Sequence, residues 1–160
     1  MVKRVWKELK PDDLATVQTY LDGMPPEQRP LYGLTGIKTS LWSRLGGGAK
    51  PYVVLFTNDK IVLSKRSLGA QKERERREYA IGDLTNVTPR RGPLLDSALF
   101  RFADGFTIRV GNIPHTQIDP MVRFLSEGAA AFDPARLTAV QRTNCYYTFT
   151  NMGFLPRDLL

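Results

Sequence analysis

Between residues 51 and 132, short apolar segments separated by turn residues give way to a single amphipathic helical pattern. Residues 52–56 are β-branched and aromatic, Asn58 and Asp59 supply a turn, and residues 61–63 return, which predicts a hairpin. A second hairpin is predicted from residues 99–102 and 106–110, joined through Asp104-Gly105. There Phe106, Ile108 and Val110 alternate with Thr107 and Arg109, so one face is buried and the other wet. Weaker strand patterns at 77–81 and 84–88 flank Gly82-Asp83, and Tyr32, Leu34, Ile37 and Leu41 mark another over 31–41. Seven strands are expected in all. Ile118, Met121, Val122 and Leu125 then occupy the i, i+3, i+4 and i+7 positions of one helix face, with Thr116 or Asp119 as cap and Pro120 in the first turn.

The flanks carry their own signals. Lys10-Pro11-Asp12-Asp13 reads as a helix start, because Pro is tolerated in the first turn and the acidic pair complements the positive end of the dipole. Leu14, Val17 and Leu21 share one face, Gly23 ends the helix and Pro25-Pro26 prevent its resumption. Past the second helix, Asp133-Pro134 open a short helix through residue 144, residues 145–149 have strand composition, and the last residues read as a tail. The expected organisation is an N-terminal helical extension (1–28), a β-rich domain (29–132) and a C-terminal extension (133–160). The expected fold class is mainly β with α: a seven-stranded barrel or sandwich capped by the C-terminal amphipathic helix, plus an N-terminal helix.

Length and composition agree with one domain core. The chain has 160 residues, 42% of them hydrophobic and 24% charged, as in ordinary globular proteins. No apolar run reaches the length of a membrane span, and the polar N-terminus does not read as a signal peptide, so the expected location is cytoplasmic. The single cysteine, Cys145, cannot form an internal disulfide, which suits a reducing compartment.

Charge changes the picture more. The net charge is +7, and residues 60–91 hold nine basic against four acidic side chains. Lys60, Lys65, Arg66, Arg90 and Arg91 are the candidate residues of a basic face, whereas the alternating run from Lys72 to Glu78 reads as a self-neutralising solvated loop. Trp42 next to Arg44 is a candidate interface contact, since an amphipathic aromatic beside cations suits a protein hot spot or a membrane boundary; it equally suits closure of the barrel.

Catalytic chemistry is not signalled. His115 is the only histidine and stands at the expected start of a helix, while Cys145 lies beside Tyr146 and Tyr147 in the setting of a buried small hydrophobe. One His and one Cys cannot make a zinc set, and Asp12-Asp13 and Asp96 form no acidic cluster, so neither metal nor cofactor is expected. Gly46-Gly47-Gly48 lacks P-loop spacing, with Pro51 where Ser or Thr would stand, and reads as a connection.

Two stretches carry a resemblance. Leu55-Phe56-Thr57-Asn58-Asp59-Lys60-Ile61-Val62-Leu63 and Tyr79-Ala80-Ile81-Gly82-Asp83-Leu84-Thr85-Asn86-Val87 resemble the hairpin and strand-pair patterns of bacterial pleckstrin-homology-like (PH-like) and GRAM-like domains. The resemblance covers residues 31–132 and implies their superfold and a non-enzymatic binding or scaffolding role. Phosphoinositide-binding members place a Lys before the first loop and a basic pair on the second strand. Here Lys38, Arg44 and Lys50 flank that loop, but residues 52–56 carry no basic residue, so the headgroup site is not reproduced. The expected partner is a protein or a second copy of the chain; the alternatives are peripheral binding to an anionic membrane surface and, behind it, nucleic acid on the basic strands.

Overall fold

The computed structural model describes residues 7–38, 50–67 and 72–160. Helix α1 (Pro11–Asp22) has Pro at its first position, Asp12 and Asp13 in its first turn, and Leu14, Val17 and Leu21 buried, as the sequence predicts. Seven strands follow: β1 (Tyr32–Lys38), β2 (Lys50–Phe56), β3 (Lys60–Arg66), β4 (Glu73–Ala80), β5 (Leu84–Arg90), β6 (Asp96–Phe102) and β7 (Thr107–Ile113). All pair antiparallel in one sheet, in the order β4-β3-β2-β1-β7-β6-β5. Strands β1 and β2 pair through seven residues, but β1 and β7 meet only at Ile37–Gly111 and Lys38–Val110. The sheet is therefore two meanders joined at a narrow seam. Its two outer strands, β4 and β5, do not pair with each other; side chains bridge that side. Tyr79 of β4 stacks on Phe102 at 4.0 Å and donates to Asp104 Oδ2 at 2.9 Å, while the Arg77 guanidinium lies 4.1 Å from the Phe106 ring centroid.

Strand β4 corrects the loop expected for the run from Lys72 to Glu78. It self-neutralises as expected, through Arg76 to Glu73 and Glu78 and Arg77 to Glu75, but it does so as an extended outer strand against β3. Alternating charge on an outer strand discourages pairing with a further sheet.

Helix α2 (His115–Glu127) follows β7 directly, and its buried face differs from the one the pattern predicts. Ile118 and Met121 are buried, but Phe124 replaces Val122, which is 38% exposed, and Leu125 is half-buried. Phe124 lies 5.2 Å from Phe56 and 5.4 Å from Phe132, ring to ring, and this aromatic contact sets the rotation of the helix. Pro120 lies inside the helix and cannot donate to the Thr116 carbonyl; Gln141 Nε2 does so instead, at 2.7 Å. Phe124→Ala should cost about 3–5 kcal/mol in a denaturant melt, against about 0.5 kcal/mol or less for Val122→Ala. Equal costs would place the helix in another rotation.

The end of the chain is not a strand and tail. Thr138 and Gln141 form a reciprocal capping box that opens helix α3 (Ala139–Asn151), which carries residues 145–149. Thr143, Cys145, Tyr146, Thr148 and Phe149 are buried on its inner side. The helix packs on β1 where Gly33 leaves room: a Cβ there would stand 2.9 Å from Thr148 Cγ2 and 3.3 Å from Phe149 Cε1. Leu137, Cys145, Tyr146, Phe149 and Leu155 share one core cluster with α1, the sheet and α2.

Candidate functional site

The five cations singled out from the sequence fall into separate places. Lys60 opens β3 and lies 3.9 Å from Glu78, and Lys65 stands further along β3, opposite Tyr52 and Glu75. Arg66 is only 7% exposed. Its guanidinium donates to the Asn151 carbonyl at 2.7 Å and lies 3.5 Å from Glu73, which accepts from the Ser64 hydroxyl at 2.7 Å. Arg66 thus sits at the negative end of α3, a helix-capping position that no local pattern signals because its partner is 85 residues away. Arg90 ends β5 in the open, and Arg91 follows it, donating to Asp119 of α2 at 2.8 Å. Lys60 and Lys65 stand on β3, and Arg90 and Arg91 stand at the end of β5, two strands that do not pair. Trp42 and Arg44 lie outside the described residues.

Around Arg91 the surface takes on a particular character. An open groove of about 650 Å3 runs between the end of β5 and α2, lined by Pro89, Arg91, Pro120, Val122, Arg123 and their neighbours. The exposed large hydrophobic residues among those described are Tyr20, Leu94, Leu95, Val122 and Val140. Of these, Val122 lines the groove. Leu94 (82% exposed) and Leu95 (43%) lie in the turn after Arg91, and Val140 precedes the lining residue Gln141 in the chain. That turn is fixed to the start of α2 through Asp96, whose Oδ1 accepts from the Gly92 N–H at 3.2 Å and lies 2.7 Å from His115 Nδ1. The hydrophobic pattern along the chain could not find this face, because Val122 reads there as core. Pro89 on β5 marks an outer strand from which a ladder donor is missing, so lateral addition of another strand beside it is disfavoured.

His115 and Cys145 are each committed elsewhere. His115 meets buried Asp96, and the Cys145 thiol donates to the Gly33 carbonyl at 3.5 Å. Burial pushes that thiol up to about 12, so it carries no thiolate at neutral pH. Burial likewise pushes the Tyr32 hydroxyl up, and that hydroxyl donates to the Gln117 main-chain carbonyl. Both groups stay protonated in the folded chain at pH values where the unfolded chain releases its protons. Stability should therefore decline as pH rises through 9, the ordinary thiol value, towards 12. A urea midpoint that holds steady from pH 8 to 11 would contradict this coupling. Among the described residues no group of three or more His, Cys, Asp or Glu side chains is placed to hold a metal ion. No described helix is long and apolar enough to cross a membrane.

The architecture is a mixed α/β fold, a seven-stranded antiparallel sheet flanked by an N-terminal helix and capped by a C-terminal one. It carries the seven strands and following amphipathic helix that the PH-like resemblance implies. No family model matches the chain, and no curated protein matches it. Among solved structures the chain is similar to the hSac2 domain from human phosphoinositide phosphatase Sac2, at 11% identity and a TM-score of 0.47, covering 76% of this chain and 87% of that one. It is also similar to the pleckstrin homology domain of USP37, at 16% identity and a TM-score of 0.41, covering 59% and 92%. A third likeness is to the C-terminal domain of an unknown protein from Leishmania infantum, at 8% identity and a TM-score of 0.43, covering 71% and 91%.

Proposed function

We propose that this protein is a non-enzymatic binding module whose partner is an acidic protein segment seated on the face between β5 and the N-terminal half of α2. One observation carries the reading: the groove is lined by exposed Val122 together with Arg91 and Arg123, and the turn that follows Arg91 exposes Leu94 and Leu95. An apolar centre with a cationic rim suits a partner with aliphatic anchors and acidic flanks. A second copy of the chain would bring its own excess of positive charge to a cationic face, which opposes self-association there. Within this reading Arg90 and Arg91 belong to the face, Lys60 and Lys65 supply long-range charge from β3, and Arg66 holds α3. The exposed Leu94 beside two arginines also favours a second reading, shallow attachment to an anionic membrane surface.

A photo-crosslinking residue at Val122 tests the two together. The expected product is an adduct with an acidic protein, lost in Arg90→Glu/Arg91→Glu and in Leu94→Asp/Leu95→Asp chains whose melting is unchanged. Binding of the identified partner should weaken as salt rises, because the Debye length contracts from about 30 Å at 0.01 M to about 8 Å at 0.15 M. Salt-sensitive binding to phosphatidylserine vesicles, lost in the same variants, would replace the protein partner with a membrane. A homodimer broken by Leu94→Asp would replace it with a second copy, and preferential binding of a single-stranded oligonucleotide would replace it with nucleic acid.

A further inference from the structure

Burial alternates along β6 and β7. Ala98, Phe100, Ile108 and Val110 point to the core, while Leu99, Arg101, Thr107 and Arg109 point away from it. On β5 the outward residues are Asn86, Thr88 and Arg90, which stand opposite Arg101, Leu99 and Ser97. Counting by twos from Gly33 to Ile37 on β1, across to its partner Gly111 and on to Arg109 stays on one side of the sheet. Helix α3 covers that side at Gly33, but on the outer strands it is left to solvent: Arg90 and Arg101 are exposed and Arg109 is half-buried.

Charge on this outer face has one sign. Between the three arginines stand Asn86, Thr88, Ser97, Leu99 and Thr107, none of them acidic. Arg66, Arg76, Arg77 and Arg91 all hold carboxylates, whereas the guanidinium groups of Arg90, Arg101 and Arg109 have no hydrogen bond or ion pair among the described residues. Two carboxylates border the face, and both are engaged. Asp104 accepts from the Tyr79 hydroxyl and the Phe106 N–H, and Asp96 is buried on the inner side against His115. Register brings the cations together: Arg101 stands opposite Thr107 and Arg109 opposite Leu99, so the two arginines are diagonal neighbours on adjacent strands, about 7–8 Å apart. Arg90 lies two strands and two residues from Arg109, about 12 Å away.

We propose that this face binds the phosphate backbone of a nucleic-acid duplex without reading its sequence. The planar guanidinium fork matches phosphate oxygens in pairs, and the hydroxyl and amide groups between the arginines are the neutral donors that phosphate and sugar contacts use. A patch about 12 Å across faces several phosphates, since a duplex carries one charge per about 1.7 Å of its axis. Single strands are gripped by stacking on aromatic side chains, and this face has none. Membrane attachment and protein docking both draw on apolar anchors, but Leu99 is the one apolar residue here, half-buried, and the exposed large hydrophobic residues lie elsewhere. The surface is distinct from the groove beside α2, which Pro89 lines from the inward side of β5. Arg90 borders both surfaces, so the test leaves it in place.

Fluorescence anisotropy with short DNA duplexes of unrelated sequence, and with an RNA duplex matching one of them, tests the proposal. The two DNA duplexes should bind alike, and the tighter of DNA and RNA names the source of the backbone. The logarithm of the affinity should fall against that of salt with a slope of about −2.7, or about −0.9 for each of three phosphate contacts. Arg101→Gln/Arg109→Gln, with melting like the parent's, should bind about tenfold or more weakly at about 50 mM salt and flatten the slope by about 1.8. Arg101→Gln alone, at an exposed position, keeps the fold and should flatten it by about half as much. Lys60→Gln/Lys65→Gln removes the same charge from β3 and should leave the slope in place. No duplex binding by the parent at low salt, an unchanged slope in the Arg101 variants, or an equal loss in the β3 variant would each overturn the proposal. So would tighter binding of a single strand, of phosphatidylserine vesicles or of polyglutamate than of the duplex.

Discussion

Phe149→Ala is expected to destabilise the chain by about 3–5 kcal/mol, a large part of the stability of a domain this size. Phe149 is 1% exposed and packs 6.2 Å from the Tyr146 ring, against the gap left by Gly33 on β1. Truncation would leave a void that β1 cannot fill, since its pairing with β2 runs from Tyr32 to Lys38 and fixes its position in the sheet. The loss should appear in urea melts as a lower midpoint with little change in slope, because the surface exposed on unfolding scarcely changes. Tyr147→Ala, two residues earlier on the same helix and only half-buried, provides the comparison. If both substitutions cost under 1 kcal/mol, α3 is an appendage and not part of the core.

This dependence shows where the sequence was legible and where it was not. α1 could be read in full, because Pro11, the acidic pair and the buried Leu14, Val17 and Leu21 all lie within one local pattern. Six strands, the end of β4 and the Asp104-Gly105 turn could be read for the same reason, turn chemistry and alternation being local, whereas the charged first half of β4 reads as a loop. The face of α2 could not. Gln117 is polar yet buried, held by the Tyr32 hydroxyl across the core, and shares the inner face with Phe124, whose ring contacts turn Val122 outward. In α3 the aromatic and β-branched composition of residues 145–149 favours a strand, but the Thr138–Gln141 capping box and the fit against Gly33 override that preference.

The candidate site followed the same division. The excess of cations was evident in the composition, but their grouping was not, because it depends on contacts made far along the chain. Arg66 reaches Asn151, Arg91 reaches Asp119, and Arg29 shares a cavity with Arg142. Charge counted along a sequence thus says that an anionic partner is plausible, whereas only the fold says which cations are already occupied with holding helices in place.

Gly36→Ala is expected to be as damaging through the opposite fault, too much volume. Gly36 lies on β1 beside the seam with β7, where a Cβ would meet Val110 and would stand 2.6 Å from the Gly111 carbonyl oxygen. The Val110 side chain can turn, but the Gly111 carbonyl is main chain, so relief requires β1 and β7 to move apart. Only two residue pairs join the meanders there, and moving them loosens the contact between two halves of the sheet. We expect a loss of about 3 kcal/mol, the upper part of the usual range for overpacking, with faster hydrogen exchange at Ile37, Lys38 and Gly111. Gly82→Ala serves as control, since a Cβ at Gly82 meets nothing within 4 Å, and its melt should shift by well under 1 kcal/mol. A Gly36→Ala chain as stable as the parent, with unchanged exchange at the seam, would mean that β1 and β7 are further apart than the described contact, and that the two meanders are held together mainly by the helices.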